Sequence, residues 1–302
     1  MRVGLTGASG LIGRATATAL RERGDTVVTF VRPSGGGGTG ETIRWDPDAD
    51  VLDDGDLRRV GGLDAIVNLA GAGIGDRRWS TERKALIRHS RLASTALVLR
   101  AIQNLPGGVG ILASASAIGY YGSRGSELLT ETSVRGDDFL AEVCRSWEAA
   151  AQPARDNGTT VSFLRTGIVM SSAGGALKRQ LPLFKAGLGG VLGNGSQWIS
   201  PISLDDEVRA ILSLIDRPHD GPVNLTAPDQ VTNRDFTRTL ARVLGRPAVL
   251  RVPAFALALV LGSDLANGAV LASQRVAPAI LVERGFNFLY PTTTELLAAA
   301  LR

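Results

Sequence analysis

The 302-residue chain reads as an α/β protein, a doubly wound parallel sheet followed by a smaller C-terminal lobe. Three observations predict it. Apolar β-type runs alternate with helical stretches through the first half, a glycine-spaced turn separates the first run from the first helix, and the alternation loosens beyond about residue 166. In order, residues 2–6 read as the first strand, 11–23 as a helix stopped by Gly24, and 26–31 as the second strand. A short third strand follows at 43–45, a fourth at 65–70, a helix at 81–103, a fifth strand at 110–114, a helix at 138–156 and a sixth strand at 160–164. These strands are apolar on both faces, so helices are expected on both sides of the sheet. The segment 33–40, with its glycine run 35–38, reads as a flexible surface loop. The second half offers a Gly-rich connection at 187–195, a helix opening near Asp205 and Asp206 (read as its cap), a strand at 223–225, and helices at 233–244 and 295–301. The division is a core over 1–165 and a substrate-binding lobe over 166–302, with segments of the lobe returning to the core.

Composition narrows the function. A single Cys144 permits no internal disulfide, and one Cys with two distant histidines, His89 and His219, cannot build a structural zinc site. A reducing, cytoplasmic setting is therefore expected. Thirty-three Lys plus Arg against 29 Asp plus Glu give a net charge of +4, spread too evenly for a nucleic-acid footprint. The longest apolar run, 254–262, is too short for a membrane span, and the chain opens on Arg2-Val3-Gly4-Leu5, so neither membrane helix nor signal peptide is expected. The basic residues Arg77, Arg78, Arg83, Lys84, Arg88 and Arg91 run from loop into helix, and Lys84, Arg88 and Arg91 share a face by spacing, read as a solvated one.

Thr6-Gly7-Ala8-Ser9-Gly10-Leu11-Ile12-Gly13 places three glycines at spacings of three between strand and helix. Gly7 suits the tight turn, Gly10 the close approach of backbone to a pyrophosphate, and Gly13 the packing of helix on strand, while the helix N-terminus supplies free N–H donors and positive potential. At the end of the second strand stands Arg32, where a fold selective for NAD carries an acid to hold the ribose 2′-hydroxyl. A guanidinium suits a 2′-phosphate, so the cofactor expected is NADP.

Further blocks carry a family likeness: Asn68-Leu69-Ala70-Gly71, Asp76-Arg77-Arg78-Trp79, the stretch from Ser114-Ala115-Ser116 through Ile118-Gly119-Tyr120-Tyr121-Gly122, Gly136-Asp137-Asp138-Phe139-Leu140-Ala141-Glu142, Trp147-Glu148, Leu164-Arg165-Thr166-Gly167 and Asn224-Leu225-Thr226-Ala227-Pro228. With these the chain resembles the extended short-chain dehydrogenase/reductases, and more closely their atypical epimerase-like, cell-division-inhibitor-like subfamily, over its whole length. The resemblance implies a six- or seven-stranded Rossmann core with NADP across the strand ends. It further implies that Gly7, Ser9, Gly10, Leu11, Ile12, Gly13 and Arg32 hold the pyrophosphate and adenosine side, with Leu69, Ala70 and Gly71 on the path to nicotinamide. It also implies a homodimer formed through helices such as 81–103 and 138–156.

In such reductases a Ser or Thr after the fifth strand orients the reacting oxygen and a Tyr-x-x-x-Lys helix relays the proton. Ser116, or else Ser114, fits the first part. The second is missing: the alignment puts Phe139 or Leu140 at the tyrosine and Val143 or Cys144 at the lysine, and none of the three tyrosines is followed four residues later by lysine. The substitutes are Tyr120 or Tyr121 with Arg124 nearby, or a desolvated Glu142 or Asp138. Cys144 reads as a small buried hydrophobe, Arg165 as an internal ion-pair partner, and Trp198 as either a stacking platform or packing. Two functions are compatible with this pattern: an NADP-dependent oxidoreductase or epimerase-type enzyme on a small hydroxyl- or carbonyl-bearing, sugar-related substrate, and a regulatory or redox-sensing protein that binds NADP without turnover.

Overall fold

The computed structural model describes residues 1–33 and 40–302, so the glycine run 35–38 lies outside the described residues. Eight strands form one sheet: β1 (Arg2–Thr6), β2 (Thr26–Val31), β3 (Thr42–Asp46), β4 (Val51–Leu52), β5 (Leu63–Asn68), β6 (Val109–Ala117), β7 (Thr160–Thr166) and β8 (Gly221–Leu225), in the spatial order β8-β7-β6-β5-β1-β2-β3-β4. All neighbours are parallel except the two-residue β4, which runs antiparallel to β3. From β1 the chain winds first one way to β2 and then the other way to β5. That reversal opens a crevice at the carboxyl ends of β1 and β5, where doubly wound sheets hold ligands.

The helices are α1 (Leu11–Glu22), α2 (Asp54–Val60), α3 (Thr81–Asn104), α4 (Phe139–Ala151), α5 (Gly175–Lys185), α6 (Leu204–Asp216), α7 (Asn233–Leu244) and α8 (Ala254–Leu261), with short turns and a final helix at Thr293–Ala300. Alternate strand residues feed two cores. Val28, Phe30, Ile66 and Phe163 join Leu97, Val98 and Ala101 of α3 on one face; Val3, Leu5, Ala65 and Val67 join Leu20 of α1 and Ile211 and Leu214 of α6 on the other. A third core, around Leu177, Phe184, Phe236 and Leu296, belongs to the C-terminal part.

Several expectations are adjusted. The strand expected at 223–225 is the edge strand β8 of the main sheet, in register with β7 through Val223 against Leu164, so the lobe returns to the core by a full strand. The helix expected over 138–156 ends at Ala151 and continues as a tighter 3-10 turn, Gln152–Asn157, because Pro153 cannot donate to a preceding helical carbonyl. Asp205 and Asp206 are not the cap of α6: Ser203 is, its hydroxyl accepting from the Asp206 backbone N–H at 2.9 Å. Asp206 is instead fully buried and accepts the backbone N–H groups of Leu289 and Tyr290, tying the C-terminal stretch to α6. No helix among the described residues is long and apolar enough to cross a membrane.

Candidate functional site

The glycine turn folds as its spacing demands. Gly7 has φ +66°, and a Cβ there would stand 2.7 Å from the Leu69 carbonyl oxygen; a Cβ on Gly13 would stand 2.2 Å from the Gly7 oxygen. Both positions are closed to any larger residue, whereas Gly10 has only one neighbour at 3.2 Å. Gly10 is the N-cap of α1, with no side-chain cap and no acid in the first turn, so the helix's leading N–H groups and positive end stay free for an anion. A second loop is pinned beside it. The Thr6 hydroxyl donates to Asn68 Oδ1 at 2.7 Å and accepts from the N–H groups of Leu69 (3.0 Å) and Ala70 (3.1 Å), which fixes the turn after β5 against β1.

Between these loops runs a cleft of about 910 Å³. Gly7, Ser9, Gly10, Arg32, Leu69, Ala70 and Gly71 line it; Leu11, Ile12 and Gly13 do not. Leu11 packs against Gly174 and Gly175, Ile12 against the α1–α6 core, and Gly13 is buried under Gly7, so these three bear on a ligand only through helix backbone. At the β2 end the cleft is walled by Arg14, Arg21 and Arg32 with Phe30, Trp45 and Pro47. Arg32 is exposed and pairs with the equally exposed Asp48 at 3.0 Å, a contact weak enough for a stronger anion to displace. An open glycine cradle, a free helix N-terminus and three cationic side chains fit a phosphorylated dinucleotide, its pyrophosphate over Gly10 and its adenosine side toward Arg32.

Ser116, Tyr120 and Tyr121 are brought together by Arg165 on β7, but none of the three lines this cleft. The Ser116 hydroxyl donates to Glu148 Oε1 at 2.7 Å, and Glu148 takes Arg165 in a two-pronged pair at 2.8 and 3.0 Å. Arg165 Nη1 donates to the Tyr121 hydroxyl at 3.0 Å, and that hydroxyl donates to Asn224 Oδ1 at 2.7 Å. Tyr121 is 0% exposed, and burial pushes its phenol up to about 12. The expectation that it offers a phenol to a cleft is thus corrected: it is a core strut. Tyr120 differs, being half-buried with its ring 3.5 Å from the Arg165 guanidinium carbon and its hydroxyl without a hydrogen-bond partner among the described residues. Arg124 is committed elsewhere, to Glu127.

The other substitutes are also engaged. Asp138 caps α4 through the Ala141 N–H, and Glu142 is held by Arg145, which lowers its carboxyl below the ordinary range. Cys144 is buried, and that burial raises its thiol to about 12, which removes it as a nucleophile. Val143 is buried, and Phe139 packs edge-on against Trp79 at 5.2 Å. Among the described residues the carboxyl strongly shifted upward is Glu207, which sequence alone does not reveal because it follows Asp205 and Asp206 in what reads as a charged helix start. It is fully buried, accepts the Thr166 hydroxyl at 2.7 Å, leaves Oε2 without a partner among the described residues, and is pushed up to about 8 by burial. A second cavity of about 840 Å³ lies in the C-terminal part, lined by Gln197, Trp198, Arg251 and Ser273 among others; Arg275 stacks over the Trp198 ring at 4.3 Å.

The model of the NAD dependent epimerase/dehydratase family matches residues 3–226, and that of a domain of unknown function, DUF1731, matches residues 252–300. An epimerase family protein of Mycobacterium bovis is 42% identical over 299 residues, 99% of this chain and 97% of the relative. An Arabidopsis thaliana epimerase family protein, named as a chloroplastic SDR39U1 homolog, is 37% identical over 306 residues, covering 100% of this chain and 87% of its own. Among solved structures, the human epimerase family protein SDR39U1 with NADPH superposes with a TM-score of 0.89 at 30% identity over the full length of both chains. A nucleoside-diphosphate sugar epimerase of Corynebacterium glutamicum gives 0.79 at 35% identity, covering all of this chain and 58% of that one.

Proposed function

The chain belongs to the NAD dependent epimerase/dehydratase family, with a C-terminal DUF1731 region, and we propose that it is an NADP(H)-dependent enzyme exchanging hydride with a small hydroxyl- or carbonyl-bearing, sugar-related substrate. The carrying observation is the cleft over Gly7 and Gly10, which ends in Arg14, Arg21 and Arg32 and whose acid on that side, Asp48, is already matched by Arg32. The structure of the human relative with NADPH supports the same cofactor. Bound there, the dinucleotide supplies the hydride donor or acceptor. The chain's own part is binding and orientation: the first turn of α1 takes the pyrophosphate, Arg32 leaves Asp48 for the 2′-phosphate, and the turn held by Thr6 presents Leu69, Ala70 and Gly71 as a wall of backbone. Tyr120 lies outside the cleft lining, but its hydroxyl has no partner among the described residues, and it is the phenol left for proton transfer, while Ser116, Glu148 and Arg165 hold the β6 and β7 ends in place.

A binding protein without turnover is the second reading, and one observation favours it: Ser116 and Tyr121 both spend their hydroxyls on a buried ion-pair network. The test is a screen of sugar nucleotides, ketones and quinones with nicotinamide-deuterated NADPH, following both absorbance and isotope in the organic product. Label transfer that falls in Tyr120→Phe but survives in Tyr121→Phe supports the enzyme; tight NADPH binding with no transfer to any substrate class supports the second reading.

A further inference from the structure

The charge that is spread evenly along the chain is uneven in space. No Asp or Glu stands between Asp156 and Asp205, nor between Asp235 and Asp264. The C-terminal part brings these two acid-free stretches together: Gly190–Leu192 pairs in parallel with Leu250–Val252, and a Cβ on Gly187 would stand 3.6 Å from the Pro247 ring. Lys185, Arg242, Arg246 and Arg251 are exposed there, and none meets an acid among the described residues. The acids at the border are already matched: Asp76 by Arg83 and Arg179, Glu127 by Arg124, Asp235 by Arg238 and Asp264 by Lys84. Arg91, expected beside Lys84 on a solvated face, turns inward to the carbonyl oxygens of Ala72 and Ile87 and takes no part.

The same region carries bare apolar surface. Every residue of α8 is apolar, Ala-Phe-Ala-Leu-Ala-Leu-Val-Leu, and none is buried, although an all-apolar helix is ordinarily enclosed by protein. Its inner side rests on the core around Trp79 through Leu261, and Arg78 donates to the carbonyl oxygens of Leu259 (2.6 Å) and Val260 (3.0 Å), which holds the last turn. The outer side has no cover among the described residues. Phe255, Leu259 and Val260 are 76, 74 and 67% exposed, with Phe255 and Leu259 one turn apart. Val249 at 84% and Leu250 at 45% lead into the helix, and Leu188 at 55% precedes the strand paired with theirs. Single exposed apolar residues are ordinary, whereas a group of them ringed by unmatched cations marks a docking surface.

Charge selects the occupant. A second copy seated on the same face would set these cations against their own kind, with no acid to answer them. An anionic bilayer answers both halves of the surface: Phe255, Leu259 and Val260 enter the boundary of headgroups and acyl chains, while Lys185, Arg246 and Arg251 meet the lipid phosphates. At about 1.5 Å per residue α8 is about 12 Å long, so it lies in the surface and does not cross it. We propose that the C-terminal lobe docks on an anionic lipid surface through α8 and the cations around it. The proposal is independent of the dinucleotide reading of the cleft.

The experiment is co-sedimentation of the full chain with sucrose-loaded vesicles of phosphatidylcholine alone or of equal parts phosphatidylcholine and phosphatidylglycerol, at low and high salt. The proteins are wild type, Phe255→Gln/Leu259→Gln, Arg246→Gln/Arg251→Gln and Val282→Gln, the last an exposed apolar residue outside this surface; thermal melts establish that each is folded. Wild type is expected on the anionic vesicles and not on the neutral ones, with binding weakened by salt. Partitioning should fall at least about tenfold in the apolar double variant and about ten- to thirtyfold in the cation double variant, and stay within about twofold in Val282→Gln. No binding by wild type, equal binding to both lipids, or unchanged binding in either double variant overturns the proposal. So does a dimer, seen by light scattering without vesicle binding, that Phe255→Gln/Leu259→Gln dissolves, which would give the face to a second copy. Should one double variant not fold, the other decides by the same criterion.

Discussion

Replacing Glu207 by Gln should make the protein progressively more stable than wild type as pH rises. Glu207 is fully buried, has one hydrogen bond, from Thr166, and is raised from its ordinary 4.5 to about 8 by burial. A carboxyl whose native value is raised keeps its proton in the folded protein while the unfolded chain gives its proton up above about 4.5. Folding stability is therefore fully present below that value and is lost as pH climbs toward 8. At about 1.4 kcal/mol per pH unit, the loss between about pH 5 and 8.5 is roughly 4 kcal/mol, comparable with the whole stability of many domains. Gln keeps the shape and the acceptor for Thr166 but cannot ionise. Its own fixed offset, from a buried amide in place of Oε2, is the same at every pH. The assay is urea unfolding followed by tryptophan fluorescence at about pH 5, 7 and 8.5 for both proteins. The change in their difference isolates Glu207 from every other titrating group. A difference constant to within about 1 kcal/mol across that range refutes the reasoning and requires water or a counter-charge at Oε2.

Arg165→Met leaves Glu148 buried without its partner and should cost about 3–5 kcal/mol in the same unfolding assay; a cost below about 1 kcal/mol would show the pair to be solvated. Tyr121→Phe removes the donor to Asn224 and an acceptor from Arg165, with an expected loss of about 1–3 kcal/mol and no change in NADPH titration. Gly13→Ala puts a methyl 2.2 Å from the Gly7 oxygen, so the loop must move; NADPH affinity should fall at least about tenfold, and retained affinity would mean that the turn is not the cradle.

The parts of the fold governed by local chemistry were legible in the sequence. β1 and β2 run as read, and α1 follows the glycine turn at once, because glycine spacing and apolar runs are local signals. Elements set by distant partners were less so. The strand read at 65–70 lies at Leu63–Asn68 because the Thr6 hydroxyl, from another strand, captures the N–H groups of Leu69 and Ala70. The strand read at 110–114 extends to Ala117 because its Ser-Ala-Ser end pairs with β7, placing Ser116 opposite Arg165. The candidate site divides the same way. Gly7, Gly10 and Arg32 stand where a strand–turn–helix unit must put them, whereas the burial of Tyr121 and Glu207 depends on which elements pack over them, and nothing in their sequence neighbourhoods distinguishes them from surface residues.

The central claim is a cleft built for a 2′-phosphorylated dinucleotide, and calorimetric titration of wild type and Arg32→Asp with NADPH and NADH tests it most directly. The account predicts that wild type prefers NADPH by about ten- to a hundredfold, the worth of one charge-assisted pair, and that Arg32→Asp loses this preference. Equal or tighter binding of NADH by the wild type, or an unchanged preference in Arg32→Asp, would contradict it.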